Sequence, residues 1–550
     1  MMTFPIRRWD GETRLITALA ASLAVLSFAY YLQHDCTLLY GDAVAHINIA
    51  RRVFDSKTPG LLQLGTVWLP LPPLLMIPFL ISKAAWQSGA GGSVPSLIAY
   101  VLVVVGIFRL VRGALSFPAE PDSDSRMAAW LAAAVVGANP NLIYLQTTAM
   151  TEPLYLGLFI WAIVHLQEFV QALAARTEET ASALGSLRKC AFCLAGAELT
   201  RYDGWFAAVA VSIAAIVSAV VAGGGVDRRE LRRALRNFLL IVAAAPAIWL
   251  AYNWIIYRNP LEFANGPYSA RAIEKRSATP GFPSHPGANH GLAAGQYFVK
   301  SAEDNLAEGK LQRVWTGVAA LGTLLLLVLD RRLAALLLLW VPLPFYALSI
   351  AYGGVPIFVP TWWPFSYYNV RYGIELLPAI AVFSAFSFYF LMTLTRNFAS
   401  KVALGALAVL FVAASYLSVW RAQPVSFREA WVNSRSRIAL ERTLAANLRK
   451  LPPDATLLMY LGDHVGALQD AGIPLSRVIQ EGNHRTWKQP TDPEGLWERA
   501  LASPAAEADY AIGVDDDAVS RSARQHSLPA LVIVETPGQP PATIYSTHRP

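Results

Sequence analysis

Along the chain, apolar runs of about twenty residues alternate with short polar connectors. The hydrocarbon core of a bilayer needs ~20 apolar residues per helix. On that measure spans are predicted near 14–33, 94–113, 127–145, 153–174, 189–200, 204–222, 237–257, 312–329, 333–352, 370–394 and 402–420, about eleven in all. The first run is too long for a removable signal peptide and lacks a small-residue cleavage site, so it reads as an anchor. Segment 189–200 reaches only about 18 Å at 1.5 Å per residue, too short to cross fully. It is read as one leg of a turn at "LTRYDGW" (199–205), which places Arg201 and Asp203 below the outer surface. One long bent helix is the alternative.

Two regions depart from this pattern. After the first span, Val44, Ile47, Ile49, Val53 and Phe54 recur at helical spacing, with Gly41 and Asp42 placed to cap the helix. "PGLLQLGTVWLPLPPLLMIPFL" (59–80) is apolar but broken by prolines, so it is expected to lie along the interface, with Trp68 at headgroup level. Beyond residue 420, strands near 455–461, 477–480, 510–514 and 530–535 and a terminal strand alternate with helices. That order predicts a small, largely parallel α/β domain over 421–550, following a membrane domain over 1–420.

Composition sharpens the class. Only 15% of the 550 residues are charged and mean hydropathy is +0.38, against about 25% charged in soluble domains. The +7 net charge is spread over short loops, a topology signal rather than a nucleic-acid face. Arg7, Arg8, Arg14, Arg109, Arg112, Arg126, Arg188, Lys189, "DRRELRRALR" (227–236), Arg331, Arg332 and Arg396 to Lys401 all fall on one side. That side is expected to be cytoplasmic, in a bacterial inner membrane, with the C-terminal domain outside. The polar segments 34–93, 146–153, 258–311 and 353–369 then face outward. "GAGG" (89–92) and "GGG" (223–225) lack the Lys-Ser/Thr of a phosphate loop. The Cys190–Cys193 pair and Cys36 suggest no redox or zinc site.

The outer side carries the polar motifs: "YGDAVAHINIARRVFDS" after span one, "TTAMTEPLYLGLF" (147–159), "LTRYDGW" and "NVRYGIELLP" (369–378). In this order and sidedness the chain resembles the GT-C superfamily of integral-membrane glycosyltransferases, in the branch of protein O-mannosyltransferases and lipid A aminoarabinose transferases. The resemblance spans roughly residues 10–420. It implies a polyprenyl-phosphate-linked sugar as donor, an acidic residue of the first outer loop as catalytic base, and a protein, lipid or glycan acceptor. The acidic pair common in that loop is Asp42-Ala43 here; a divalent metal stays open.

Roles are then expected as follows. Asp42 is the base, Asp35 being the other candidate, since a partly dehydrated carboxylate can take the proton of an acceptor hydroxyl. A helix cap alone is the plain alternative for Asp42. Arg201 and Arg371 supply guanidinium forks for the carrier phosphate; a structural Arg201–Asp203 pair and an interfacial Arg371 stay open. Glu152 orients the acceptor or an arginine, or simply complements its helix N-terminus. Arg271 and Lys275 of the 258–311 loop can reach the phosphate. His46 pairs with Asp42 or faces headgroups. His46, Asp35, Tyr202 and Asp203, with Asp463 and His464 at the end of the first C-terminal strand, are candidate substrate contacts. His285 and His290 have no metal-ligand spacing. A transporter or flippase, or a polyprenyl-diphosphate-glycan ligase, are the competing classes; no internal repeat supports the transporter.

Overall fold

The computed structural model describes residues 10–117, 121–175, 180–222, 227–277, 283–329, 331–462, 464–484 and 493–548. The membrane part begins with α1 (Gly11–Gln33), capped by the Asp10 side chain. Short elements follow: α2 (Gly41–Arg52), a 3-10 turn Leu61–Leu64, α3 (Leu71–Met76), a 3-10 turn Ile77–Leu80 and α4 (Lys83–Gln87). None of these is long enough to cross, which fits the proline-broken sequence.

Then come α5 (Ala90–Ser116), α6 (Ser123–Gly137), α7 (Pro140–Leu145), α8 (Glu152–Ala175), α9 (Thr180–Glu198), α10 (Asp203–Ala222) and α11 (Arg228–Tyr257). The segment α12 (Glu262–Asn265), α13 (Ala270–Ser277) and α14 (Gly291–Asp304) leads into α15 (Lys310–Leu329), a 3-10 stretch Arg331–Trp340 and α16 (Pro342–Tyr352). A 3-10 segment Val370–Leu376, α17 (Leu377–Leu394) and α18 (Phe398–Ala422) close the bundle.

All eleven predicted segments are helical, and nine helices among the described residues are long and apolar enough to span. The 127–145 segment is two helices, because Pro140 cannot continue α6 and Asn139 recaps the chain by accepting from Asn141 and Leu142 N–H. The other exception, α9, corrects the short-pass reading. It starts at Thr180, so its 19 residues reach about 28 Å. α5, α8 and α17 are mostly buried, whereas α1, α11, α15 and α18 leave most of their apolar surface outward. That is the distribution of a bundle with lipid-facing outer helices.

α18 ends at Gln423, whose φ of 66° turns the chain into α19 (Val425–Leu448). A five-stranded sheet follows: β1 (Leu457–Met459), β2 (Val478–Ile479), β3 (Tyr510–Val514), β4 (Ala530–Val534) and β5 (Ala542–Ser546), in the order β2-β1-β3-β5-β4. Every predicted strand is present. Only β1–β2 and β1–β3 are parallel; β3–β5 and β4–β5 are antiparallel. The 535–541 connection is too short for a crossover helix, so the sheet is mixed rather than largely parallel.

This domain is fastened to the segment between α1 and α5. Asn48 donates to Gln469 (2.7 Å), Arg52 to Gln480 (3.2 Å), Gln480 to Gln63 (2.8 Å) and the Ser476 N–H to Asp55 (2.9 Å). Arg437 of α19 donates to the Leu38 and Leu39 carbonyls, both at 3.0 Å. The chain around the helix that carries Asp42 is thus held on both its sides by the C-terminal domain.

Candidate active site

The N-cap of α2 is Tyr40, which makes no side-chain cap bond, and Asp42 lies inside the first turn. The expected capping role is therefore absent, and the carboxylate is spent elsewhere. Its Oδ2 accepts from Arg371 Nη2 at 2.5 Å while 43% of the side chain remains exposed. Arg371 is set by the irregular segment ahead of α17, where Asn369 adopts a positive φ of 54°. Its Nε donates to Glu152 Oε1 (3.1 Å) and its Nη1 to Glu429 Oε1 (2.7 Å). Glu429 of α19 also accepts the backbone N–H groups of Asn369 and Arg371, at 2.9 and 3.1 Å.

Glu152, the first residue of α8 and fully buried, joins this group to a second one. Its Oε1 lies 3.3 Å from Arg201 Nη1. Arg201 also donates to Thr151 (3.0 Å), Asp203 (3.1 Å) and the Tyr346 hydroxyl (2.7 Å), and pairs with Glu375 at 3.2 Å. The Tyr346 hydroxyl in turn donates to Glu375 at 2.7 Å. Both guanidinium carbons lie over the Tyr372 ring, 4.8 and 4.9 Å from its centroid. Five carboxyls thus converge on two arginines. Asp42 is the one that opens to solvent; Glu152, Asp203, Glu375 and Glu429 are buried.

His46 stands one turn along α2 from Asp42, buried, its ring 4.8 Å from that of Trp68. Burial lowers it to about 4; Asp42 and Glu152 oppose the shift, and Arg201 and Arg371 add to it. It is a neutral imidazole. Tyr368, 44% exposed, has its hydroxyl raised above the ordinary value by desolvation, and the Asp42 charge adds to that.

The cluster therefore gathers Asp42, Glu152, Arg201, Asp203 and Arg371, with His46 at its side. Arg201 does make the ion pair with Asp203 that a structural reading foresaw, and polar contacts with Glu152, Thr151, Tyr346 and Glu375 besides. The other candidates lie elsewhere. Asp35 is 84% exposed, with Arg442 3.9 Å away. Arg271 is exposed and donates to the Tyr352 carbonyl (3.1 and 2.5 Å), and Lys275 is exposed on α13. The Tyr202 ring stacks on Phe263 at 4.9 Å and its hydroxyl accepts from Trp249 at 3.2 Å, a packing role at the turn. His464 is buried just after β1, and Asp463 lies outside the described residues. His285 pairs with Glu274 at 2.9 Å.

Sequence reading missed Glu429, Glu375, Tyr346, Tyr372 and Tyr40. Tyr372 and Glu375 stand inside "NVRYGIELLP" and were within reach as the polar positions of a motif otherwise apolar. Glu429 looks like one more charge on an amphipathic helix, and Tyr346 sits in an apolar run without a signal. The carboxyls close on guanidinium groups. Among the described residues no group of three or more His, Cys, Asp or Glu side chains is arranged to hold a metal ion.

No protein-family model matches the chain, and no curated protein matches its sequence. Solved structures do match. ArnT from Cupriavidus metallidurans bound to undecaprenyl phosphate aligns with 98% of this chain and 99% of its own, at TM-score 0.57 and 13% identity. Its apo form aligns with 96% of this chain and 98% of its own, at TM-score 0.54 and 12% identity. The chain has the GT-C fold. Archaeal oligosaccharyltransferase AglB from Archaeoglobus fulgidus also aligns, with 98% of this chain and 75% of its own, at TM-score 0.44 and 12% identity. Both ArnT alignments run through the GT-C bundle and the C-terminal domain alike.

Proposed function

We propose that the protein is an inverting glycosyltransferase that moves a sugar from a polyprenyl-phosphate carrier to an acceptor hydroxyl at the outer face of a bacterial inner membrane. The observation that carries this reading is the half-open Asp42 carboxylate, held by an arginine whose other contacts are buried acids. Undecaprenyl phosphate on ArnT, a protein of the same fold, supports the carrier. The one-sided basic connectors support the orientation.

In this reading Asp42 accepts the acceptor hydroxyl proton as that oxygen attacks the anomeric carbon. The bond from this carbon to the phosphate oxygen breaks, and its electron pair leaves with polyprenyl phosphate. Attack opposite the leaving group inverts the centre. Arg371 donates three of its five N–H groups to carboxylates. The incoming phosphate then competes with Asp42 for the Nη2 donor. Losing that contact frees the Asp42 oxygen to receive the acceptor's hydroxyl proton. Glu152 and Glu429 are positioning residues, since they hold the guanidinium rather than the substrate. Arg201, tied to Arg371 through Glu152, keeps the second guanidinium near the developing phosphate charge.

Transfer of labelled sugar from undecaprenyl-phosphate donors in proteoliposomes tests this. Asp42→Asn is expected to lower the rate by 10²–10⁴, the range for loss of a general base, with thermal stability nearly unchanged. Wild-type transport of the donor without any transfer would favour a flippase instead.

A further inference from the structure

Both arginines of the cluster are engaged by carboxylates, yet one polar group beside them is not. Neither ring nitrogen of His46 hydrogen-bonds to a described residue, and Nδ1 is sealed from solvent. His46 is only 2% exposed and stands one turn along α2 from Asp42, within reach of the charges of Asp42, Glu152, Arg201 and Arg371. A buried nitrogen with no partner costs about 1–3 kcal/mol. An orphaned buried N–H is rarer than an orphaned acceptor. The sealed Nδ1 is then the bare lone pair, and the proton belongs on Nε2. A neutral donor flanked by an aromatic ring suits a hydroxyl better than an anion, because phosphate calls for cations and the arginines supply them. Trp68, half-buried at 4.8 Å from the imidazole, offers a π face for the C–H side of a sugar ring.

We propose that His46 and Trp68 form the subsite for the donor's sugar ring, with His46 Nε2–H donating to a sugar hydroxyl and Trp68 stacking beside it. This rests on the sugar-phosphate reading above. It makes His46 a specificity residue one helical turn from Asp42, on the same face of α2.

The test compares binding of bare undecaprenyl phosphate with that of undecaprenyl phosphate carrying a hexose or a pentose. Full-length protein in detergent is used, read by tryptophan fluorescence and by donor KM. The wild type is expected to bind one sugar-bearing carrier at least tenfold more tightly than the bare carrier. His46→Phe and Trp68→Ala should each erase about tenfold of that preference and raise donor KM, leaving bare-carrier affinity within twofold. His46→Gln places an amide N–H near the Nε2 position and should keep most of the preference. His46→Asn, whose amide mimics Nδ1, should not. If bare-carrier binding weakens in step, or if the Asn variant keeps the preference and the Gln variant loses it, the subsite is overturned. Unchanged preference in His46→Phe and Trp68→Ala overturns it as well. A wild type that does not distinguish bare from sugar-bearing carrier overturns the donor reading itself.

Discussion

The bundle holds a second arginine–carboxylate cluster at the opposite ends of α1 and α5. There Arg112 pairs with Asp10 (2.7 Å) and Glu12 (3.4 Å), and Arg126 with Glu12 (2.9 Å). Trp130 donates to the same Glu12 at 3.2 Å, and the Arg112 guanidinium lies 4.9 Å from the Phe108 ring centroid. The parts resemble those around Arg371: guanidinium groups, acids and an aromatic ring. The proportions differ. Two acids meet two arginines there, and both acids come from one turn of α1, so the cluster pins α1 to α5 and α6. Around Arg371, five acids from five chain segments meet two arginines, and one acid faces out. A balanced cluster locks helices together; an acid-rich one with an open carboxylate has proton-accepting capacity beyond what the fold consumes.

The largest effect expected from breaking this contrast is at Arg371. Alanine there strands Glu429, 2% exposed, and leaves the fully buried Glu152 to Arg201, and loss of one partner of a buried pair costs about 3–5 kcal/mol. Arg371→Ala bears on donor use and on folding alike. The buried acids imply that both fall. Pairing it with Glu429→Gln should recover part of the stability, a coupling that a double-mutant cycle of denaturation midpoints would measure. Arg371→Lys should rescue only partly, because one ammonium cannot span three carboxylates in a plane. Midpoints for Arg371→Ala within 1 kcal/mol of the wild type would show that the acids do not depend on it.

At the balanced cluster, Arg112→Met should cost about 1–3 kcal/mol, less than at Arg371. Its acids are 35% and 23% exposed, so water takes over part of the arginine's role. Transfer per folded molecule should stay within twofold. Lost transfer at unchanged stability would make this end part of the chemistry and dissolve the contrast.

How far the sequence disclosed these clusters depends on where their residues stand. Asp42, Glu152, Arg201 and Arg371 are legible because a charge at the end of an apolar run is conspicuous, and four such ends fall on one side. The structure brings them together across 329 positions between Asp42 and Arg371. Glu429 is illegible because its helix is rich in charged residues, where an acid is ordinary; only the packing of α19 against Asn369 and Arg371 gives it meaning. The start of α2 misled for a different reason. A Gly-Asp pair before an apolar pattern is a good cap signal, but Tyr40 takes the cap position and Arg371 takes the carboxylate. The strands were legible from β-branched runs, whereas strand direction depended on a connection too short for a helix.

A smaller effect is expected from pH. His46 is lowered to about 4 by burial, from an ordinary value near 6.5. Below pH 6.5 the unfolded chain takes up a proton that the native site refuses. The stability contributed by neutral His46 is therefore complete above 6.5 and declines as pH falls toward 4. At pH 5.5 the loss from this residue is about 1 kcal/mol. Other carboxyls titrate nearby, so the measurement is the difference between wild type and His46→Gln in midpoint against pH. A difference that stays flat from pH 7 to 5 would mean that water reaches the imidazole.

The smallest effect is expected at Asp35, and it carries the comparison to its finest scale, two aspartates seven residues apart in one loop. Asp35 is 84% exposed, its φ is 55°, and its ion pair with the exposed Arg442 is 3.9 Å long. An exposed pair of that length contributes little, and asparagine tolerates the left-handed backbone as well as aspartate does. Asp35→Asn should therefore change stability by less than about 0.5 kcal/mol and transfer by less than twofold. Asp42→Asn removes the carboxylate that meets both Arg371 and the opening. It can still accept a hydrogen bond from Nη2 but cannot take a proton at neutral pH, so stability and transfer separate at Asp42 and stay together at Asp35. If Asp35→Asn is inactive while Asp42→Asn transfers sugar, the open end of the Arg371 cluster is not where the proton goes.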